Sequence, residues 1–358
     1  MKKGKGTLLV LLSSALVLSS VPASVSVYGA QPFEEALLFG TGEDTGNIEG
    51  TGTGGTEVQE PQEPETPQEP ETPQEPEEPE KPVVKNGLKK ENGKYYFYVN
   101  DKKVKRTWKK INGKRYYFTS KYHAATGCFK VNGKLYVFRI NGQLFTPSKP
   151  SIINVGSASY YVNKSGIAST GWLTIGNKLY YAGTAGKLMK NRTYQGITFT
   201  KNSAAKNDTA AQLKLKTMSI VSSITNSSMS KSQKLRACWN YVVGGNIYYS
   251  SYYPNLSKSG WQKETALRTL TTRGGNCYGF ACAFAALAYE VGYDPYLVCG
   301  RVSGSRDHAA DGLTRHCWVR INGLYYDPEA QYAGWYPGVY GYSGYYMYHT
   351  IQQFVRFR

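Results

Sequence analysis

Gly274-Gly275-Asn276-Cys277-Tyr278-Gly279-Phe280-Ala281 is the stretch on which the fold of this chain turns. Asn276 is a favoured helix N-cap, and Phe280, Phe284, Leu287, Ala288 and Val291 follow on one helical face. Gly292 is a favoured residue just past a helix end, so the spacing predicts a helix over residues 277–291. Cys277 is then its first residue. A thiol there lies at the positive end of the helix dipole, which favours thiolate, and the Cys277 backbone N–H is among those free to receive a developing oxyanion. Cysteines in apolar helices are commonly core residues, but the capped position between glycines favours a reactive thiol.

Further along, residues 316–321 read His-Cys-Trp-Val-Arg-Ile, followed by Asn322-Gly323 and then Leu324-Tyr325-Tyr326-Asp327-Pro328. Asn-Gly between two β-prone runs predicts a tight hairpin. A two-residue turn pairs Ile321 with Leu324, so Trp318 faces Asp327, and His316 shares that face. His316 and Asp327 become diagonal neighbours, about 7–8 Å apart at the backbone and within side-chain reach. The opposite face carries Cys317, Val319, Ile321, Leu324 and Tyr326; it is apolar, is expected to face the core, and removes Cys317 as a nucleophile. A thiol, an imidazole and a carboxylate are the groups that nucleophilic acyl transfer requires.

These three blocks, in this order, resemble the signature of the transglutaminase-like superfamily, over roughly residues 203–358. The resemblance implies a papain-like α+β core in which the nucleophile's helix packs on an antiparallel sheet that supplies the histidine and the aspartate. It implies that Cys277 attacks a carboxamide of a protein or peptide, that His316 serves as general base and acid, and that Asp327 fixes its tautomer. Release of the acyl group by an amine or by water distinguishes transamidation from peptide hydrolysis. Relatives also use an upstream side chain at the oxyanion, for which Trp239, Tyr241, Trp261 and Gln262 are the candidates, most of them equally at home in the core. Animal members usually need calcium, but the few carboxylates here give no reason to carry it over. His123 and His349 lack metal-ligand spacing, so no metal or cofactor is expected.

The rest of the chain reads as delivery. Residues 1–30 hold Lys2, Lys3 and Lys5, an apolar run from Leu8 to Val21 and small residues from Ala23 to Ala30, the pattern of a secretory signal peptide cleaved somewhere between those two alanines. Residues 31–82 are an acidic Pro/Gln/Glu-rich stretch expected to remain a disordered spacer. Of the 43 Lys and Arg residues, 39 lie in residues 83–358 against 10 of the 25 Asp and Glu residues, so the total charge of +18 understates how basic that part is.

Residues 83–200 carry 22 of those cations against Glu91 and Asp101 alone. Asn92-Gly93-Lys94, Asn112-Gly113-Lys114 and Asn132-Gly133-Lys134 recur at a period of 20, each leading to a tyrosine pair or near-pair, with weaker copies at Tyr160-Tyr161 and Tyr180-Tyr181. About five hairpins of this kind predict an all-β solenoid. The block resembles the cell-wall-binding repeats of Gram-positive surface proteins, the family that includes choline-binding modules. Thr170-Gly171-Trp172 matches that family's turn and cage tryptophan, whereas Thr126-Gly127-Cys128 does not. Trp108, Tyr116, Tyr136, Tyr160, Trp172 and Tyr180 are the wall-ligand candidates, although most of the tyrosines also suit the array's own core. The charge suits an anionic wall polymer or glycan better than nucleic acid, for which there is no fold motif. The first cysteine is Cys128 and the chain ends at Phe357-Arg358 without a sorting tail, so retention at the wall is expected to be noncovalent.

The remaining segments are read more coarsely. Residues 207–225 and 230–243 look helical, Thr265–Leu270 looks like a short turn, and Asp307 and His308 fall in a polar loop from Ser303 to Arg315. The tyrosine-rich stretch from Tyr332 to Tyr348 reads as edge strands and loops beside Asp327. Six cysteines in an exported chain invite disulfides, but only Cys299 and Cys317 are expected on neighbouring strands. The expected protein is a wall-associated cysteine acyltransferase or peptidase without a membrane span in its mature form. A noncatalytic adhesin or a wall-binding scaffold is the alternative.

Overall fold

The computed structural model describes residues 84–336 and 339–358, and these belong to one compact unit. The signal peptide and the acidic spacer expected over residues 1–82 lie outside the described residues. Among the described residues no helix is long and apolar enough to cross a membrane.

The first half is a run of antiparallel hairpins made by local turn chemistry. At Asn92-Gly93, Asn112-Gly113 and Asn132-Gly133 both turn residues have positive φ, from 46° to 48° at the asparagines and from 74° to 79° at the glycines. That is the turn whose twist matches paired strands, and asparagine and glycine are the residues that tolerate it. The turns join β1 (Gly87–Glu91) to β2 (Lys94–Val99), which also pairs with β3 (Lys102–Lys103), then β4 (Thr107–Ile111) to β5 (Lys114–Phe118), and β6 (Gly127–Val131) to β7 (Lys134–Phe138). The weaker copies form β8 (Ser151–Val155) with β9 (Ala158–Val162) and β10 (Gly171–Ile175) with β11 (Lys178–Ala182). A sixth hairpin, β12 (Arg192–Tyr194) with β13 (Ile197–Phe199), turns at Gln195-Gly196 and escaped the Asn-Gly pattern.

Each connecting segment hydrogen-bonds to the hairpin before the one it leaves. Ala124 N donates to Tyr95 O at 2.7 Å, and Leu144, Ala168, Leu188 and Ala205 donate to Arg115, Leu135, Ser159 and Leu179 at 2.8 Å. A lone two-stranded hairpin is marginal in water, and this stitching lets successive hairpins bury Phe118, Phe138, Val162 and Phe199 between them.

The second half is α+β. Helix α1 (Thr209–Ile224) starts at an Asp208 cap, and α2 (Lys231–Tyr241) at a Ser230/Gln233 capping box, running into a π-helical turn over Val242–Asn246. Then come β14 (Tyr248–Tyr249), α3 (Trp261–Thr272), β15 (Gly274–Gly275) and α4 (Cys277–Glu290). A five-stranded antiparallel sheet follows, ordered β19-β18-β17-β16-β20 from β16 (Tyr296–Ser303), β17 (Leu313–Ile321), β18 (Leu324–Tyr326), β19 (Tyr340–Tyr342) and β20 (His349–Arg356), with α5 (Pro328–Ala333) after β18.

Helix α4 is apolar on every side and correspondingly central: Phe280, Phe284 and Leu287 are fully buried. It can approach α3 because position 279 is glycine; a Cβ there would lie 2.8 Å from Thr269 Oγ1. At Gly300 a Cβ would collide with the Thr350 carbonyl, so this glycine admits β20 at the irregularity between Cys299 and Gly300.

Three local expectations change. Helix α3 covers twelve residues from Trp261, entered through Gly260 at φ 81°, where the sequence suggested only a turn at Thr265–Leu270. Tyr332 lies in α5, whose Pro328 and Asp327 cap make it a helix before the edge strand begins. In the β17–β18 hairpin the expected register holds, with Val319 opposite Tyr326 and Ile321 opposite Leu324. The expected faces hold only in part: Leu324, beside the turn, is 37% exposed, while the His316–Trp318 face is buried as well. Tyr345 stacks on Trp318 at 4.4 Å and, with Met347, covers that face.

Candidate active site

Asn276 builds the start of the site. Its side-chain oxygen accepts from Tyr278 N at 3.2 Å, which opens α4 at Cys277 and leaves the Asn276 Nδ2 buried without a partner. The parallel pairing of β14 with β15 sets Tyr249 opposite Gly275, in the electrostatic neighbourhood of Cys277, Arg306 and Glu329. Cys277 itself is 1% exposed.

The hairpin brings the imidazole to the thiol. His316 Nε2–H donates to Asp327 Oδ2 at 2.6 Å, and the Nδ1 side of the ring faces Cys277 and Glu329. Asp327 is held from several directions: Ala330 N donates to Oδ1 at 3.0 Å, and the Tyr345 and Tyr346 hydroxyls donate to Oδ2 at 2.6 and 3.2 Å. The tyrosines predicted to lie beside Asp327 therefore grip its carboxylate.

The electrostatics follow from burial and proximity. Burial alone would raise the Asp327 carboxyl, but the charge and hydrogen bond of His316 hold it below the usual carboxylate range. Burial would lower the His316 imidazolium, yet the Asp327 charge and hydrogen bond, with Cys277 and the Glu329 carboxylate nearby, raise it well above the ordinary histidine value. For Cys277, burial pushes the thiol up, and the opposing pull of His316 does not overcome it. The helix terminus alone favours an easily formed thiolate; burial in the closed site is the opposing influence that sequence does not display.

Glu329 is the residue that sequence reasoning missed. It is 1% exposed, its Oε2 lies 3.3 Å from His316 Nδ1, and neither carboxylate oxygen has a hydrogen-bond partner. Arg306, from the β16–β17 loop, approaches Glu329 Oε1 at 3.6 Å and lies over the rings of Tyr249 and Trp335, at 5.4 and 5.5 Å. The Trp335 ring is 5.9 Å from that of His316. A cleft of about 320 Å³ opens beside them, lined by Arg306, Arg315, His316, Trp335 and Met347 among others. Glu329 directly follows the Asp327-Pro328 pair, the one sequence signal that placed it near the histidine.

Other candidates lie elsewhere. Trp239 is buried against Phe284, Tyr326 and Tyr340, Tyr241 packs on the same core, and Trp261 meets Tyr278 edge-on at 6.2 Å. Gln262 is half-buried on α3. Asp307 pairs with Arg315 at 2.9 Å and accepts from its backbone N at 2.7 Å, which ties the polar loop down, while His308 is exposed on that loop. His123 and His349 each face a backbone carbonyl at 3.0 Å. Cys299 and Cys317 are cross-strand partners with sulfurs 3.6 Å apart, and both thiols are free.

Among the wall-ligand candidates, Tyr116, Tyr160 and Tyr180 are buried and form the array's core instead. Strand alternation turns their neighbours Tyr117, Tyr161 and Tyr181 to the other face of each hairpin, where they are half-buried, and the sequence alone did not say which member of each pair faced which way. Trp108 sits among Tyr117, Tyr136 and Phe138, with the Arg115 guanidinium 4.5 Å over its ring. Trp172 sits among Tyr181, Tyr194 and Phe199, and the Lys214 ammonium from α1 lies 4.9 Å over it. Both tryptophans therefore already hold a cation from the chain itself.

The family model described as transglutaminase-like superfamily matches residues 218–337, which contain Cys277, His316 and Asp327. No curated protein matches the chain. Solved structures similar to it include choline binding protein F from Streptococcus pneumoniae, at 28% identity over 35% of this chain and 48% of that one, with a TM-score of 0.20. The cell wall endolysin from phage Cp-1 complexed with choline is 29% identical over 37% of this chain and 40% of that one, with a TM-score of 0.27. The chain spans about half or less of the length of these proteins, and the likeness falls on the hairpin repeats.

Proposed function

We propose, for a chain that carries a transglutaminase-like domain at residues 218–337, that it is a cysteine enzyme acting on amide bonds of proteins or peptides. The observation that carries the reading is His316, whose ring bonds Asp327 through Nε2 at 2.6 Å and turns its other nitrogen to Cys277. In this reading the neutral form of His316 takes the thiol proton as Cys277 attacks the carbonyl carbon, and the backbone N–H groups at the start of α4 hold the oxyanion. The same proton then passes to the leaving amine. An incoming amine or water gives its proton back to His316 as it releases the acyl group, and Asp327 keeps the ring oriented throughout. Because Cys277 is buried, the acyl donor enters past Arg306 and Trp335, from the cleft beside His316.

The hairpin array is the retaining part. Its excess of cations, with both tryptophans already holding Arg115 and Lys214, favours an anionic wall polymer over choline as its ligand. With the secretory segment read at residues 1–30, the proposed place of action is the outside of a Gram-positive cell.

Mass spectrometry after brief exposure to a thiol-directed electrophile tests the catalytic reading. Selective labelling of Cys277 that is lost in His316→Ala supports it; equal labelling of both proteins removes it. A labelled primary amine then separates the outcomes, since incorporation marks a transamidase and cleavage without incorporation marks a peptidase.

A further inference from the structure

Cys277, His316 and Glu329 form the one group among the described residues in which three sulfur, nitrogen and carboxylate donor atoms converge, all within 4.8 Å of one another. All three side chains are buried. We propose that this group is a binding site for a divalent ion of zinc type, which would silence the thiol reversibly. The inference rests on donor geometry and stands apart from the acyl-transfer reading.

Three observations carry it. The first is the donor set: thiolate, imidazole and a single carboxylate suit zinc, whereas calcium and magnesium take shells of oxygen. The second is spacing. With bonds of about 2.0–2.1 Å, two adjacent nitrogen and oxygen ligands of a tetrahedral zinc lie about 3.3–3.4 Å apart, and His316 Nδ1 lies 3.3 Å from Glu329 Oε2. The third is support. Asp327 accepts the Nε2 proton of His316, so once the Nδ1 proton is released on binding the lone pair there is aimed at the site, the arrangement that carboxylates set behind metal-bound histidines.

Glu329 is otherwise hard to account for. A buried carboxylate with neither oxygen hydrogen-bonded is costly, and it is balanced only through space, by contact with His316 Nδ1 at 3.3 Å and Arg306 at 3.6 Å. An ion would replace that contact and leave a fourth position toward the cleft. Binding releases the thiol proton, and any proton on Nδ1, to solvent.

Cobalt(II), which reports a thiolate ligand through a charge-transfer absorption band, is the probe. The full chain should bind one equivalent with a sulfur-to-cobalt band, Zn²⁺ should bleach it, and Cys277→Ala should lack it. Glu329→Gln should weaken Co²⁺ at least ten-fold, and Glu329→Asp, which keeps the charge but withdraws it, should weaken it too. No sulfur band in the wild-type chain overturns the proposal without any variant, and so does an unchanged affinity in Glu329→Gln. Alkylation without metal keeps the two readings separable. His316-dependent labelling with no cobalt band leaves an enzyme without this site, and a cobalt band without His316-dependent labelling leaves the site without the enzyme.

Discussion

The surroundings of Trp172 and of Cys277 show two ways of filling a pocket with charge. Around Trp172 the cation is Lys214, whose ammonium also holds Glu290 at 2.8 Å while Thr217 donates to the same carboxylate at 2.8 Å. Lys214, Thr217 and Glu290 thus all have partners, and the result is a seam joining the last hairpins to α1 and α4. Around Cys277 the arrangement is incomplete: Asp327 has four donors, while Glu329 has none and Asn276 Nδ2 has no acceptor. Closed networks rigidify, and unsatisfied groups in a cleft mark where another molecule is expected.

The largest effects should come from breaking the incomplete site. Asp327→Asn should leave the fold in place while lowering kcat/KM for acyl transfer about a thousand- to ten-thousand-fold, because an amide can present the wrong partner to Nε2. His316→Ala should lower it further, with steady-state kinetics on a glutaminyl peptide as the measurement. Activity retained within ten-fold in both would remove His316 and Asp327 from the mechanism.

Core deletions come next. Phe284→Ala, against Trp239 and Tyr326, should cost about 3–5 kcal/mol in urea unfolding and should raise the alkylation rate of Cys277 through local opening. Phe138→Ala in the array should disturb only neighbouring hairpins and leave that rate unchanged, as expected where each repeat contacts only its neighbours. A faster Cys277 in Phe138→Ala would show that the two halves share one cooperative core.

The seam is a smaller lever. Lys214→Met keeps the length of the side chain but strips Glu290 of its cation, and it should cost about 1–3 kcal/mol, a range below that of a fully buried pair because both partners keep some exposure. Trp172 fluorescence should change with it; an unchanged spectrum would place the tryptophan elsewhere in solution. The smallest effect is at the far end of the array. The hydrogen bond from Lys103, with that from Tyr98, holds Glu91 at about 2, against 4.5 for a free glutamate. Its contribution to the first hairpin is therefore present above pH 4.5 and is lost as pH falls from there through about 2, which amide exchange at Tyr98 would follow.

Much of this was legible in the chain. Asn276 before Cys277 announced the helix, Asn322-Gly323 set the register that puts His316 beside Asp327, and the recurring Asn-Gly turns announced the hairpins. Where reading failed, the cause was an environment rather than a pattern. Tyr116 and Tyr117 are chemically alike, and only the stacking of hairpins buries the first. Thr265–Leu270 looked like a turn because Gly260, which starts the helix, lies too far upstream to be read as its cap.

Residue order by itself determined the elements and the order of thiol, imidazole and carboxylate, because capping, turn conformation and strand alternation act over a few neighbouring residues. Tertiary structure alone decided that Lys214 would cover Trp172, that Tyr345 and Tyr346 would grip Asp327, and that Glu329 would stand buried without a hydrogen bond between His316 and Arg306. Those outcomes depend on charges brought together from distant positions and on water removed around them. Neither burial nor a through-space partner leaves a period in the sequence.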